Sequence, residues 1–235
     1  MMKNLPHLCA CLALTAVGGA QANTTQTSLI VGGQITPPAC NVAFDGAGGV
    51  DFGAIPFRSL HPDGTLLNEQ HPRLEIVCGG PTLVAFTAQD NRANSAITHQ
   101  EAIAAGMKWP YQNPENAKPH AWGLGRIDDV KIGAMVLLIR PEASLVDGKP
   151  LAINTTQILA RTAGGQSAWP VHSAQDSINL NLVDEYSFGS PAAAVPITTA
   201  SVSLGVLPML NKPAALPSAK EIPIDGSITF TLRYL

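Results

Sequence analysis

The sequence predicts an all-β fold in which two sheets pack as a sandwich, and three observations carry that prediction. Apolar residues recur with a period of two more often than 3.6. The 235 residues include 21 Gly and 19 Pro, enough to break long helices repeatedly. Turn dipeptides such as Asp63-Gly64 and Asp147-Gly148 separate short segments rich in Val, Ile, Leu and Thr. Many short strands with little helix indicate a sandwich or barrel. With 46% hydrophobic and 13% charged residues the chain is globular, and a coiled coil is excluded.

In chain order, strands are expected at 29–35, 50–55, 74–78, 83–88, 121–127, 131–140, 151–160, 178–188, 195–207 and 228–234. The last is the clearest. Ile228, Phe230, Leu232 and Tyr234 alternate with Thr229, Thr231 and Arg233 after the turn dipeptide Asp225-Gly226, one face apolar and the other polar. One helix is expected at 95–105, with Ser95 as its cap, an Ala-rich body and Gly106 where it would stop. Segment 108–120 holds three prolines, Trp109 and Tyr111 without periodicity and reads as a long surface loop; 141–150 reads as a second. No internal repeat is present.

The first 22 residues have the order of a secretory signal peptide: Lys3, an apolar run from Leu8 to Val17, then Ala20-Gln21-Ala22. Cleavage is expected before Asn23, so that 1–22 is a signal peptide and 23–235 a single exported, soluble domain. The apolar run is shorter than the roughly 20 residues that span a bilayer, and no transmembrane segment is expected in the mature chain. Cys9 and Cys11 would leave with the signal, and Cys40 and Cys78 would remain. An even pair without C-x-x-C in an oxidising compartment is expected to form a disulfide, worth roughly 4 kcal/mol in the chain-entropy model.

Catalytic motifs are not found. His61, His71, His99, His120 and His172 are not spaced as metal pairs, and Asp128-Asp129 sits where a tight turn between strands wants such residues. Gly165-Gln166-Ser167-Ala168-Trp169 has Trp where a nucleophile elbow needs its second Gly. Gly123-Leu124-Gly125 lacks the third Gly and the helix of a phosphate loop, and its glycines read as ordinary strand residues. No enzyme activity, cofactor or metal is expected. The 14 basic and 17 acidic groups give a net charge of -3, which does not favour nucleic acid. Trp109, Tyr111, Trp122 and Trp169 either anchor core and loops or form a platform for a surface glycan.

Several stretches carry a resemblance. Gly33-Gln34-Ile35-Thr36-Pro37-Pro38-Ala39-Cys40, Asp51-Phe52-Gly53, Cys78 and the penultimate Tyr234 together resemble a chaperone-usher fimbrial subunit. Asp90-Asn91-Arg92, Trp122-Gly123-Leu124-Gly125, Lys131-Ile132-Gly133, Gly164-Gly165 before Trp169 and the closing strand after Asp225-Gly226-Ser227 are similar to an exported bacterial family of unknown function. Its members carry a beta-fimbrial major-subunit label.

The resemblance implies an immunoglobulin-like, pilin-like β-sandwich with long loops that lacks its last strand. An open groove would then be filled by a periplasmic fimbrial chaperone and later by the N-terminal extension of a sister subunit, a form of β-augmentation. It further implies that Ile228, Phe230, Leu232 and Tyr234 form the chaperone-pairing strand. Cys40 and Cys78 would join the first two strands, and Leu29 and Val31 would belong to the donor segment. Ile222 stands where the pilin motif has Gly. The expected function is a structural subunit of a cell-surface fibre, reached through the periplasm and serving adhesion. The alternative is a self-complete secreted sandwich that binds a glycan through its loops.

Overall fold

The computed structural model of the chain describes residues 26–36, 38–46, 48–108, 121–151, 156–166, 168–173, 178–190 and 193–235. The expected signal peptide and cleavage site lie outside them, as do Trp109, Tyr111, His120 and Ser167. Residues up to Thr36 form one unit and Pro37–Leu235 another. In the first, 26–36 contain neither helix nor strand, and every side chain is exposed. The strand expected at 29–35 is therefore absent: apolar alternation alone does not make a strand, which also needs a hydrogen-bonded neighbour.

The second unit is all-β. Its strands are β1 (Cys40–Phe44), β2 (Thr65–Leu66), β3 (Arg73–Thr82), β4 (Val84–Asp90), β5 (Trp122–Gly123), β6 (Arg126–Ile127), β7 (Val130–Lys131), β8 (Gly133–Ile139) and β9 (Leu145–Val146). There follow β10 (Lys149–Pro150), β11 (Gln157–Thr162), β12 (Val171–Ser173), β13 (Ile178–Asn179), β14 (Asp184–Ser190), β15 (Ala193–Ala194), β16 (Ile197–Leu210) and β17 (Ile228–Tyr234). One sheet runs β1-β3-β16-β8-β13, with β2, β5, β9 and β10 attached; the other runs β12-β11-β14-β4-β17, with β15 attached; β6 and β7 form a separate hairpin. Every strand-to-strand pairing is antiparallel. The chain changes sheets between β3 and β4 with Leu83 alone between them.

One core joins the two sheets. Leu74 and Ile76 of β3, Leu137 and Ile139 of β8 and Leu204 of β16 meet Phe86 of β4, Ile158 of β11 and Tyr186 and Phe188 of β14. The Phe86 ring stacks on Tyr186 with centroids 5.6 Å apart. Strand β8 is buried at all seven positions: Met135, Leu137 and Ile139 belong to the main core, and a second apolar cluster of Ile97, Ala102, Met107 and Met209 packs around Ala134 on the other face. A strand covered on both faces reads as a continuous apolar run, as Gly133-Ala134-Met135-Val136-Leu137-Leu138-Ile139 does.

Local chemistry explains where the strands break. At 50–55 the Asp51 carboxylate accepts from the Gly53 N–H at 2.8 Å, a side-chain turn that competes with extended pairing, and the expected strand is irregular chain. Residues 178–188 divide into β13 and β14 because the Asn181 side-chain oxygen accepts from the N–H groups of Val183 and Asp184. Tyr186 then ties the corner, its hydroxyl accepting from the Asn181 N–H at 3.0 Å. The 141–150 stretch is not an irregular loop: it contains a 3-10 turn at Pro141–Ala143 and the β9–β10 hairpin. Asp147 (φ 48°) and Gly148 (φ 73°) make its two-residue turn, for which left-handed backbone suits the strand twist.

The helix α1 (His99–Ala104) is shorter than expected and its cap is Thr98, not Ser95. Thr98 and Glu101 form a reciprocal capping box. The Ser95 hydroxyl is committed elsewhere, accepting from the Gly125 N–H at 3.0 Å.

Candidate functional site

The two sheets end differently on the two sides of the sandwich. On one side the edge strands β12 and β13 are consecutive in the chain. On the other the edge strands are the first and the last: among the described residues β1 pairs with β3 alone, and β17 with β4 alone. Among the described residues no strand pairs with the outer edge of either. Between them lies a cavity of about 820 Å³. Its floor is core (Leu124, Met135, Leu137, Val206), and its walls are Phe44, Val50 and Phe52 on one flank and Ile222, Ile224, Ile228 and Phe230 on the other.

Strand β17 has the alternation expected from its sequence. Ile228, Phe230 and Leu232 are half-buried against the core, and Thr229, Thr231 and Arg233 are exposed. It pairs along its whole length with β4, from Ile228 opposite Asp90 to Tyr234 opposite Val84. Tyr234 departs from the pattern: it is exposed, and its hydroxyl accepts from the Cys40 N–H at 2.8 Å. The Cys40–Cys78 disulfide is present and joins β1 to β3 in the register that sets the two residues opposite each other.

Polar contacts fix both ends of β17. At its start, Arg92 donates two hydrogen bonds to Asp225, at 2.7 and 2.8 Å, a bidentate pairing that specifies geometry. Asp225 is held below the usual carboxylate range by Arg92, and Arg92 is raised in turn by Asp225. The Asn91 side chain donates to Ser227 and Thr229. Asp90 accepts from the Gly123 N–H and the Arg92 N–H, both at 2.8 Å. Gly123 is thus no ordinary strand glycine: a Cβ there would sit 2.1 Å from the Ser95 hydroxyl and 2.4 Å from the Arg92 carbonyl. Three of the motifs behind the resemblance, at 90–92, 122–125 and 225–227, meet here, although 133 residues separate Arg92 from Asp225. Their roles could not be read from the sequence, since only their order along the chain signalled them.

At its far end, Arg233 donates to Glu185 of β14, which also accepts from Arg161 of β11 at 2.6 Å. Glu185 is fully buried. Burial is the largest influence on its carboxyl and raises its pKa, but the hydrogen bonds and charges of Arg233 and Arg161 outweigh it and hold the group below its ordinary value. The Arg161 guanidinium lies over the Trp169 ring, 3.9 Å from its centroid.

The remaining candidate residues are distributed as follows. Leu29 and Val31 are exposed, as are Ile30 and Ile35. Trp122 is fully buried and Trp169 nearly so, which removes both from any sugar-stacking surface. His61 Nδ1 accepts from the Asp63 N–H. Asp128-Asp129 joins β6 to β7, as a tight turn should. Among the described residues no group of three or more His, Cys, Asp or Glu is arranged to hold a metal, and no helix is long and apolar enough to cross a membrane.

Residues 29–136, from the exposed N-terminal segment into β8, match a family described as a protein of unknown function, DUF1120. The chain is also similar to two Escherichia coli (strain K12) proteins along nearly their whole length. Protein GltF is 26% identical over 253 residues, covering 99% of this chain and 98% of GltF. Uncharacterized protein YhcF is 25% identical over 243 residues, covering both chains completely.

Proposed function

We propose that the protein is a non-enzymatic structural subunit of an exported bacterial fibre, a pilin-like, immunoglobulin-like domain that works by taking up a β-strand from another chain. The observation that carries this reading is the apolar groove between two edge strands, β1 and β17, neither of which has a partner on its outer edge among the described residues. An unpaired edge beside exposed core is a template for strand addition. In the periplasm the occupant would be a fimbrial chaperone pairing with Ile228, Phe230, Leu232 and Tyr234. In the fibre it would be the N-terminal segment of a sister subunit, where Leu29 and Val31 share one side of an extended chain with Ile35.

The energetics support exchange over a vacant groove. Three or four buried apolar side chains contribute about 1.5–3 kcal/mol each, comparable to the whole stability of a domain at about 5–15 kcal/mol. A subunit without a donor is expected to be marginal, and one with a donor robust.

The test is to express the precursor in a bacterial host without a cognate chaperone and analyse the unboiled periplasmic extract by sizing column and gel. Degradation, or a ladder of multimers that boiling collapses, is expected. A stable, monodisperse monomer would overturn the reading in favour of a self-complete sandwich. Deleting residues 229–235 should abolish periplasmic accumulation, and normal accumulation of the soluble truncated chain would count equally against it.

A further inference from the structure

The groove is not open along its whole length. Its lining begins at Phe44 and Phe230 and extends past Ile228, and none of Cys40, Val42, Leu232 and Tyr234 contributes to it. In that other half β1 and β17 meet through side chains. The Phe44 and Phe230 rings pack edge to face with centroids 5.4 Å apart, Val42 and Leu232 both rest on the core, and the Cys40 N–H donates to Tyr234 Oη. These contacts occupy the space a strand between β1 and β17 would need.

The two sides of this closure are not equally free to yield. Cys40 is bonded to Cys78 through sulfur and lies opposite it in the β1–β3 register, so it cannot retreat. Tyr234 carries no such crosslink and is 43% exposed.

We infer that Tyr234 and Phe230 form a latch against Cys40 and Phe44 that shuts half of the vacant groove, so that an incoming strand pairs first with the Ile228 end of β17 and reaches Tyr234 only after the latch opens. This rests on the strand-uptake reading and adds to it a direction and a barrier. The occupant is the N-terminal segment of a second copy, whose exposed apolar residues at 29–31 and 35 have the composition to replace the latch contacts with core contacts.

The test uses the mature full-length protein, kept dilute, and an excess of labelled peptide with the sequence of residues 26–36. Tyr234→Phe removes only the hydroxyl. It is expected to accelerate peptide capture about fivefold, the factor one net hydrogen bond represents, and to speed hydrogen exchange at the Cys40 amide. Capture at the wild-type rate with faster Cys40 exchange would show a contact that does not gate entry and would overturn the latch while leaving strand uptake intact. Unchanged exchange at Cys40 would show that the latch is not closed and would overturn it as well. Failure of both proteins to capture any peptide would overturn the strand-uptake reading, and the latch with it.

Discussion

Arg233, two residues from the C-terminus, pairs with Glu185 across β4, which lies between their strands, and so ties the last strand to the middle of its sheet. Glu185 has no exposed surface, whereas the Arg233 side chain is 45% exposed. The buried partner therefore dominates the energetics, because its charge has no water to fall back on.

Glu185→Ala leaves Arg161 and Arg233 without their shared carboxylate and is expected to destabilise the domain by about 3 kcal/mol. Arg233→Ala is expected to cost less, under about 2 kcal/mol, because Arg161 still satisfies the acid. Denaturant unfolding of both variants checks the order, and an Arg233→Ala cost exceeding that of Glu185→Ala would refute it.

Acid should weaken the fold through the same group. The folded carboxyl of Glu185 titrates below its ordinary value of 4.5, so the unfolded chain binds its proton first as pH falls. The contribution is present in full above about pH 5 and is lost as pH drops through 4.5 toward the folded value. Asp225, held down by Arg92, acts with the same sign. Melting temperature should be flat from pH 7 to 5 and fall below that, with a shallower acid limb in Glu185→Gln.

Gly123→Ala drives a methyl group into the Ser95 hydroxyl and the Arg92 carbonyl. Neither atom moves freely, since Ser95 bonds to Gly125 and Arg92 to Asp90 and Asp225. A loss of about 3 kcal/mol or more is expected, accompanied by faster amide exchange at Asn91, whose N–H donates to the Ser227 carbonyl. Wild-type exchange there would separate Gly123 from the start of β17.

Replacing Cys40 and Cys78 together by Ser removes a crosslink spanning 38 residues, worth roughly 4 kcal/mol in the chain-entropy model. Equilibrium unfolding of the oxidised wild type and the double variant measures it. A difference below about 1 kcal/mol would mean that the β1–β3 pairing holds β1 without the bond.

Much of this architecture was legible in the order of residues. The alternation at Ile228–Tyr234, the Asp147-Gly148 turn, the pairing of the two cysteines and the helix ending ahead of Gly106 depend on neighbours a few positions apart, or on there being no other partner. Where a local signal had two outcomes, packing chose between them. Ser95 and Thr98 are both competent caps, and Thr98 serves because Ser95 is bonded to Gly125. Residues 50–55 have the composition of a strand, but Asp51 turns the chain toward Gly53, and the segment becomes a wall of the groove.

The groove belongs wholly to tertiary structure. Phe44 and Phe230 face each other, and Arg92 meets Asp225, because the chain changes sheets at Leu83 and returns at its end to the opposite edge. By itself the sequence determined which face of a half-buried strand such as β17 is apolar from Ile228 to Leu232, since that follows from the two-residue repeat of an extended chain. Only the folded protein decided which edges remain unpaired among the described residues, because neighbours such as β4 and β17 are brought together from more than a hundred positions apart, and no local pattern records that.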